Sequence, residues 1–220
     1  MDEWKKGSIP TFITNKPREM QANIEKLAVR LGEGFLASGL SLDEKRLNAF
    51  HREVYLHKGA DLSFLNGMTA TGLRSSAYLT GNELESNIAN FRSTSRRLLP
   101  LVIHTNSRPS GIRETGHLAK FGHVYQLTNT GCFVLIAGSA REDACLTLIA
   151  HRISELSLIP GIVVSDYDTN SENMEIPDDR LIRQYLGEPD DQIPSPTPGQ
   201  EIIFGKTRRR IPNWYNLDSP

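Results

Sequence analysis

The sequence predicts an α/β protein built on a mostly parallel sheet flanked by helices, and three observations carry that expectation. Short apolar runs rich in branched residues stand at 101–104, 132–137 and 161–165, as strands covered on both faces require. Between the last two lies 140–156, where Ala144, Leu148, Ala150, Ile153 and Leu156 supply an inner helical stripe. Strand, helix and strand in that order make a βαβ unit with a right-handed crossover. Finally, Arg108 follows the first run, which puts a cation at the edge where open α/β sheets bind ligands.

The remaining elements follow in order. Residues 1–16 read as an arm punctuated by Pro10 and Pro17, with a short edge strand at 11–14. Ile24, Leu27, Ala28, Leu31, Phe35 and Leu36 predict a helix over 17–38, with Gly39 as its C-cap. Ser41 and Glu44 have the spacing of a capping box, so a second helix is expected to run to 57. Gly67 and Gly72 lie among small residues in 60–74, where a helix can approach another backbone closely. A strand is expected at 75–79, a polar helix anchored by Ile88 and Phe91 at 83–97, and an amphipathic helix at 177–186. Pro189, Pro194, Pro196 and Pro198 then make 188–200 an extended linker. A short strand at 201–204 and a basic run at 206–210 follow, before Pro212, Trp214 and Tyr215. The organisation is therefore an arm at 1–16, an α/β domain at 17–187 and an extended tail at 188–220.

Composition excludes several classes. A net charge of −1 gives no electrostatic reason to expect nucleic acid. No run reaches the roughly 18 apolar residues of a membrane helix, and the polar start MDEWKKGSIP lacks a secretory h-region. A cytoplasmic protein is expected. Cys132 and Cys145 are the two cysteines, too few for an Fe–S cluster or a four-thiolate zinc site within this chain. Both read as small buried residues in a reducing compartment.

Individual polar residues carry paired readings. His51 and His57, like His117 and His123, are six apart. No HExxH motif occurs, so ordinary hydrogen bonding is expected. Glu142 and Asp143 open a helix and suit its dipole. Asp166 and Asp168, at the sheet's carboxyl edge, are either polar ligand contacts or structural. Lys206 to Arg210 is a solvated or interface segment, or a phosphate site. Arg108 either meets a ligand at the sheet edge or makes a structural ion pair.

An ordered set of motifs narrows this further. Ser107-Arg108 follows a strand, then come His117, Phe121-Gly122, the strand 132–138, Ala150-His151 in a helix, and a strand ending at Asp166. Gly67 and Gly72 precede the set, with 75–80 as a strand, and PDDQIPSPTPGQ and GKTRRRIPNWYNLDSP follow it. Over about 60–220 the chain resembles the first domain of the pyruvate:ferredoxin oxidoreductases, 2-oxoacid oxidoreductases that use thiamine diphosphate.

The resemblance implies the pyrimidine-binding type of thiamine-diphosphate domain. It assigns Arg108 to the substrate carboxylate and His117 to the active-site helix, with Lys58 and Gly67 on the cofactor's pyrimidine side. Diphosphate, Mg²⁺ and Fe–S clusters would be held by partner chains, in a homo- or hetero-oligomer. In the family a glutamate about nine residues before the first glycine hydrogen-bonds the aminopyrimidine ring. Counting back from Gly67 reaches Lys58; a one-residue gap would put His57 there, and Glu53 would serve only if the loop were rebuilt. Three functions follow as expectations. The first is a subunit for oxidative decarboxylation of a 2-oxoacid, the second a degenerate paralogue kept for structure or regulation, and the third a different enzyme that reuses the pocket for another small anion.

Overall fold

The computed structural model describes residues 34–37, 55–58, 61–79, 81–107, 121–166 and 178–216. Its centre is a six-stranded sheet of β1 (Gly34–Ala37), β2 (Tyr55–Lys58), β3 (Ser75–Tyr78), β4 (Leu101–Asn106), β5 (Phe133–Ala137) and β6 (Gly161–Ser165), in the order β2-β1-β3-β4-β6-β5. Every neighbouring pair is parallel. Lys58, Ala37, Tyr78, His104, Val163 and Leu135 form one register row across it.

The two faces are covered differently. Helices α1 (Ser63–Ala70), α2 (Gly81–Ser86), α3 (Ile88–Arg96) and α4 (Gly122–Tyr125) share one core with the sheet. Leu62, Leu65, Leu84, Phe91, Val124 and Leu127 meet Ala77, Leu101, Ile103, Ile162 and Val164 there. The alternate strand residues Val102 and Val163 pack on Ala150 of α5 (Ala140–Ser157) on the other face. Period-two alternation in each central strand thus serves two cores at once. Helix α6 (Asp179–Leu186) leans on α5: Arg152 lies 4.8 Å from the Tyr185 ring and donates to the Tyr185 carbonyl at 2.7 Å.

Several expectations need correction. Phe35 and Leu36 are strand residues, not part of a helix to 38, and 55–58 is a strand rather than the end of a second helix. A short apolar run such as GFLA reads equally well as buried strand or buried helix. The arm at 1–16 and most of both expected helices lie outside the described residues. The polar helix at 83–97 is two helices broken at Asn87. The Asn87 side chain donates to the Glu83 carbonyl at 2.8 Å, beside the Asn87 amide at 3.2 Å, and accepts the Leu62 amide at 3.3 Å, the kind of local side-chain bonding that competes with helix continuation. Among the described residues a Cβ at Gly67 would meet nothing within 4 Å, so none of them makes a close backbone approach there. Gly72 makes that approach instead, at φ +92° with the Ile211 carbonyl 3.4 Å from its would-be Cβ.

The C-terminal segment is folded onto the domain. β7 (Gln192–Pro194) and β8 (Thr207–Arg209) pair antiparallel, and α7 (Pro198–Phe204) joins them. The expected strand at 201–204 is therefore helical. Thr197 caps α7 by accepting the Gln200 amide at 3.3 Å, and Pro198 sits in the first turn, where its fixed φ and missing N–H suit a helix start. Ile211 is fully buried. Among the described residues no helix is long and apolar enough to cross a membrane.

Candidate functional site

In a parallel sheet all strands end at one edge, and ligands bind beyond it where the strand order reverses. Here that edge is built by Lys58, Ala37, Tyr78, Asn106, Ser165 and Ala137, the last residues of β2, β1, β3, β4, β6 and β5. The ends of β4 and β6 are tied together. The Ser107 amide donates to the Ser165 carbonyl at 2.9 Å, and the Ser107 hydroxyl donates to Asp166 Oδ1 at 2.7 Å. The Asp166 amide continues the tie to Ala137 of β5 at 2.8 Å. From the opposite side, His123 of α4 places Nε2 3.0 Å from the Asn106 carbonyl.

The start of α5 closes this corner. Ser139 accepts the Glu142 amide at 3.3 Å, and Glu142 Oε2 accepts the Gly138 amide at 2.8 Å, a reciprocal cap of the kind the Ser-x-x-Glu spacing produces. Asp143, also in the first turn of α5, is buried and accepts a short hydrogen bond from the Ser165 hydroxyl.

Asp143 heads a polar line that runs down the inner face of α5 through Thr147, His151 and Glu155, all buried. An i, i+4 repeat puts these side chains on one face. Ile153, expected inward, is 40% exposed. His151 Nε2 lies 3.1 Å from the Ser76 hydroxyl of β3. Burial, then Arg74 and His104, hold His151 well below its ordinary pKa. His104 of β4 is also buried, with neither ring nitrogen hydrogen-bonded, and burial lowers it to about 4. At the amino edge Glu155 binds Arg74 through two bonds, at 2.5 and 3.1 Å.

The expected site residues distribute as follows. Lys58 closes β2 in the row that holds Tyr78 and His104, three strand spacings or roughly 14 Å from His104. Gly67 lies within α1, which forms part of the connection from β2 to β3. Arg108 and His117 lie outside the described residues, as does Asp168; Arg108 follows one residue after Ser107. The geometry adds His104 of β4, which sequence reading passed over, and gives contacts to His123, Asp143 and His151, which that reading had as an ordinary hydrogen-bonding histidine, an acid at a helix start and part of an Ala-His pair. For Asp143 and His151 the further signal was the polar i, i+4 series inside α5. Among the described residues no group of three or more His, Cys, Asp or Glu is arranged to hold a metal ion.

The basic run at 206–210 is not a solvated phosphate site at its centre. Arg208 is buried and donates to Gln200 Oε1 at 2.7 Å, to the Arg209 and Arg210 carbonyls at 2.8 and 2.6 Å, and to the Glu155 and Leu156 carbonyls at 2.8 and 3.0 Å. The last two are orphan acceptors at the end of α5, so Arg208 caps that helix from fifty residues away in sequence.

A family comparison matches residues 59–216 to the pyruvate flavodoxin/ferredoxin oxidoreductase, thiamine-diphosphate-binding family. The chain belongs to that family. Among solved structures it is similar to a 2-oxoglutarate:ferredoxin oxidoreductase from Magnetococcus marinus, with a TM-score of 0.55 and 14% identity, over 76% of this chain and 31% of that one. A putative thiamin diphosphate-dependent enzyme from Mycobacterium smegmatis shows a TM-score of 0.47 at 14% identity, over 70% of this chain and 31% of that one. The chain thus spans about a third of the length of these solved chains. No curated protein matches. The family places the observed parallel sheet among thiamine-diphosphate-binding domains.

The residue types at one corner of the edge bear on activation of that cofactor. A protonated ring nitrogen needs an acceptor, and an ammonium supplies only donors of the same sign. The strands β1, β2 and β3 end in Ala37, Lys58 and Tyr78, so none of these three ends presents a carboxylate.

Proposed function

We propose that this chain is the pyrimidine-side domain of a 2-oxoacid oxidoreductase assembly. The observation that carries this reading is the family match over 59–216, on a sheet whose carboxyl edge gathers Lys58 and the exit toward Arg108. In this reading Arg108 holds the substrate carboxylate by two parallel N–H···O bonds, and His117 belongs to the active-site helix that the family resemblance implies. Partner chains in the cytoplasm supply the diphosphate and Mg²⁺ contacts and the Fe–S clusters that carry electrons away. Thiamine diphosphate, when bound, supplies the carbon nucleophile for decarboxylation. This chain's part is to bind and orient.

Lys58 favours a second reading, a subunit kept for structure or regulation that does not activate the cofactor. One experiment separates the two. The full chain, alone and co-purified with the products of neighbouring genes, is titrated with thiamine diphosphate and Mg²⁺ and assayed for dye reduction dependent on pyruvate or 2-oxoglutarate. The first reading expects saturable cofactor binding and 2-oxoacid-dependent reduction in the assembly, with the reduction cut at least tenfold by Arg108→Ala. Binding in no assembly overturns it. Cofactor binding that appears only with Lys58→Glu, without reduction by the natural chain, supports the second.

A further inference from the structure

We propose that the outer edge of β5 is an interface between two copies of this chain, joined by antiparallel pairing of β5 with its own copy about a two-fold axis at Leu135. β5 ends the sheet, and among the described residues no strand pairs with its outer side. Sheet edges of soluble domains are usually guarded by a charge, a proline or a bulge. This edge reads FVLIA from Phe133 to Ala137, and no charged residue occurs from 124 to 140. Ile136 is 52% exposed. Tyr125 of α4, Ile153 of α5 and Ile159, next to the Pro160 whose carbonyl accepts the Phe133 amide, are exposed as well. Apolar exposure is thus gathered around one unguarded strand, as at a protein contact.

The backbone decides what fits that edge. The Phe133 amide donates to the Pro160 carbonyl at 3.2 Å, and the Ala137 carbonyl accepts the Asp166 amide at 2.8 Å. Both residues therefore turn their backbone groups toward β6. Alternation along the strand does the same for Leu135 and turns the N–H and C=O of Val134 and Ile136 outward. A two-fold axis at Leu135 sets Val134 opposite the copy's Ile136, and Ile136 opposite the copy's Val134. These are the residues that present outward groups, so each opposed pair exchanges both of its bonds. The side chains agree with the same register. Phe133 opposes the copy's Ala137, large against small, and the branched Val134 meets the branched Ile136. With no charge on the strand, two copies meet without like charges opposed, and a partner selected by charge finds nothing here to read. Leu146 of α5 shares a small core with Phe133 and Leu135, and Ile149 and Ile153 follow it at i+3 and i+7. Helix α5 rides over β6, and the two copies of β6 stand three strand spacings apart, roughly 14 Å. That exceeds the 8–10 Å of packed helices, so the paired α5 helices do not clash.

Sedimentation velocity over a concentration series tests the interface, on the full chain alone and co-purified with the products of neighbouring genes. A concentration-dependent dimer is expected for the chain, or two copies in each assembly. Ile136→Lys puts a charge into the pair and is expected to weaken dimerisation roughly tenfold or more. Ile202→Lys, at an exposed position of α7, leaves it unchanged. Only the residue on the axis meets itself, at a Cα separation of about 4.5 Å that a disulfide can bridge. Leu135→Cys in a Cys132→Ala, Cys145→Ala background should therefore cross-link two copies on mild oxidation, and Ile136→Cys in that background should not. A chain that stays monomeric alone and single in every assembly overturns the proposal. So does a dimer that survives Ile136→Lys, or one cross-linked through Ile136→Cys instead of Leu135→Cys. A foreign chain released by Ile136→Lys from a one-copy assembly gives the edge to that partner's strand and overturns the pairing of copies. Thermal unfolding shows which variants fold, and where Ile136→Lys does not, the pattern of cross-links decides.

Discussion

At the scale of single residues, the most telling side chain is His104. It sits mid-sheet between Tyr78 and Val163 in the register row, buried, with both ring nitrogens unbonded. In the same seam Arg74 places its charge near His151, and the acids Asp143 and Glu155 are committed to Ser165 and Arg74. Burial lowers His104 from 6.5 to about 4. The unfolded chain therefore binds a proton here that the folded chain refuses, between those two values. Stability is unaffected above pH 6.5, falls as pH drops toward 4 and levels off below it. The loss at this one site is about 3 kcal/mol by the pKa difference. Chemical denaturation at stepped pH should show the fall, and His104→Leu should flatten much of the slope. An unchanged slope in that variant would assign the acid sensitivity elsewhere.

At the scale of elements, close packing between β5 and β6 depends on Gly161. A Cβ there would strike the Phe133 ring, which lies directly across the ladder in register. Gly161→Ala must push that ring out of a core it shares with Val102, Ala150 and Val163. Overpacking of this kind costs about 1–3 kcal/mol. A matching drop in unfolding free energy is expected, and Phe133→Leu should relieve it in the double variant. The sequence made β3, β4, β5, β6, α5 and α6 legible, because branched apolar runs and a 3.6-residue stripe are strong local signals. It missed β1, since four apolar residues next to helical spacing look like a continuing helix. It missed the break at Asn87 because that break is made by a bond to Leu62, twenty-five residues away. The polar line on α5 was hidden for a similar reason: Asp143, His151 and Glu155 are acceptable inside only because Ser165, Ser76 and Arg74 arrive from distant strands. At the candidate site, Ser107 and Asp166 were marked by position, but the tie between them and the bond from His123 were not.

At the scale of the whole molecule, the question is whether 188–216 is appended or structural. Proline content made it read as a linker, yet its prolines start α7 and end β7 rather than leave the chain extended. Arg208 uses all five of its N–H donors on α7, α5 and its own ribbon. Gln200 adds a bond to the Leu156 carbonyl at 2.9 Å, and the Trp214 amide donates to the Ala70 carbonyl at α1's end, also at 2.9 Å. Hence the ends of two helices on opposite faces of the sheet are closed by one segment. The family match running to residue 216 agrees with that boundary. Ending the chain after Gly187 removes Arg208, Gln200 and Trp214 together, leaving the Glu155 and Leu156 carbonyls without those partners and uncovering the Gly72 turn. Unmet buried acceptors cost about 1–3 kcal/mol each, comparable in sum to the whole stability of a domain. The truncated chain should lose its cooperative thermal transition. Arg208→Met in the full chain should retain a transition at lower temperature, because α7 and the ribbon still pack. A truncated chain that melts like the full one would return the segment to the status of a linker.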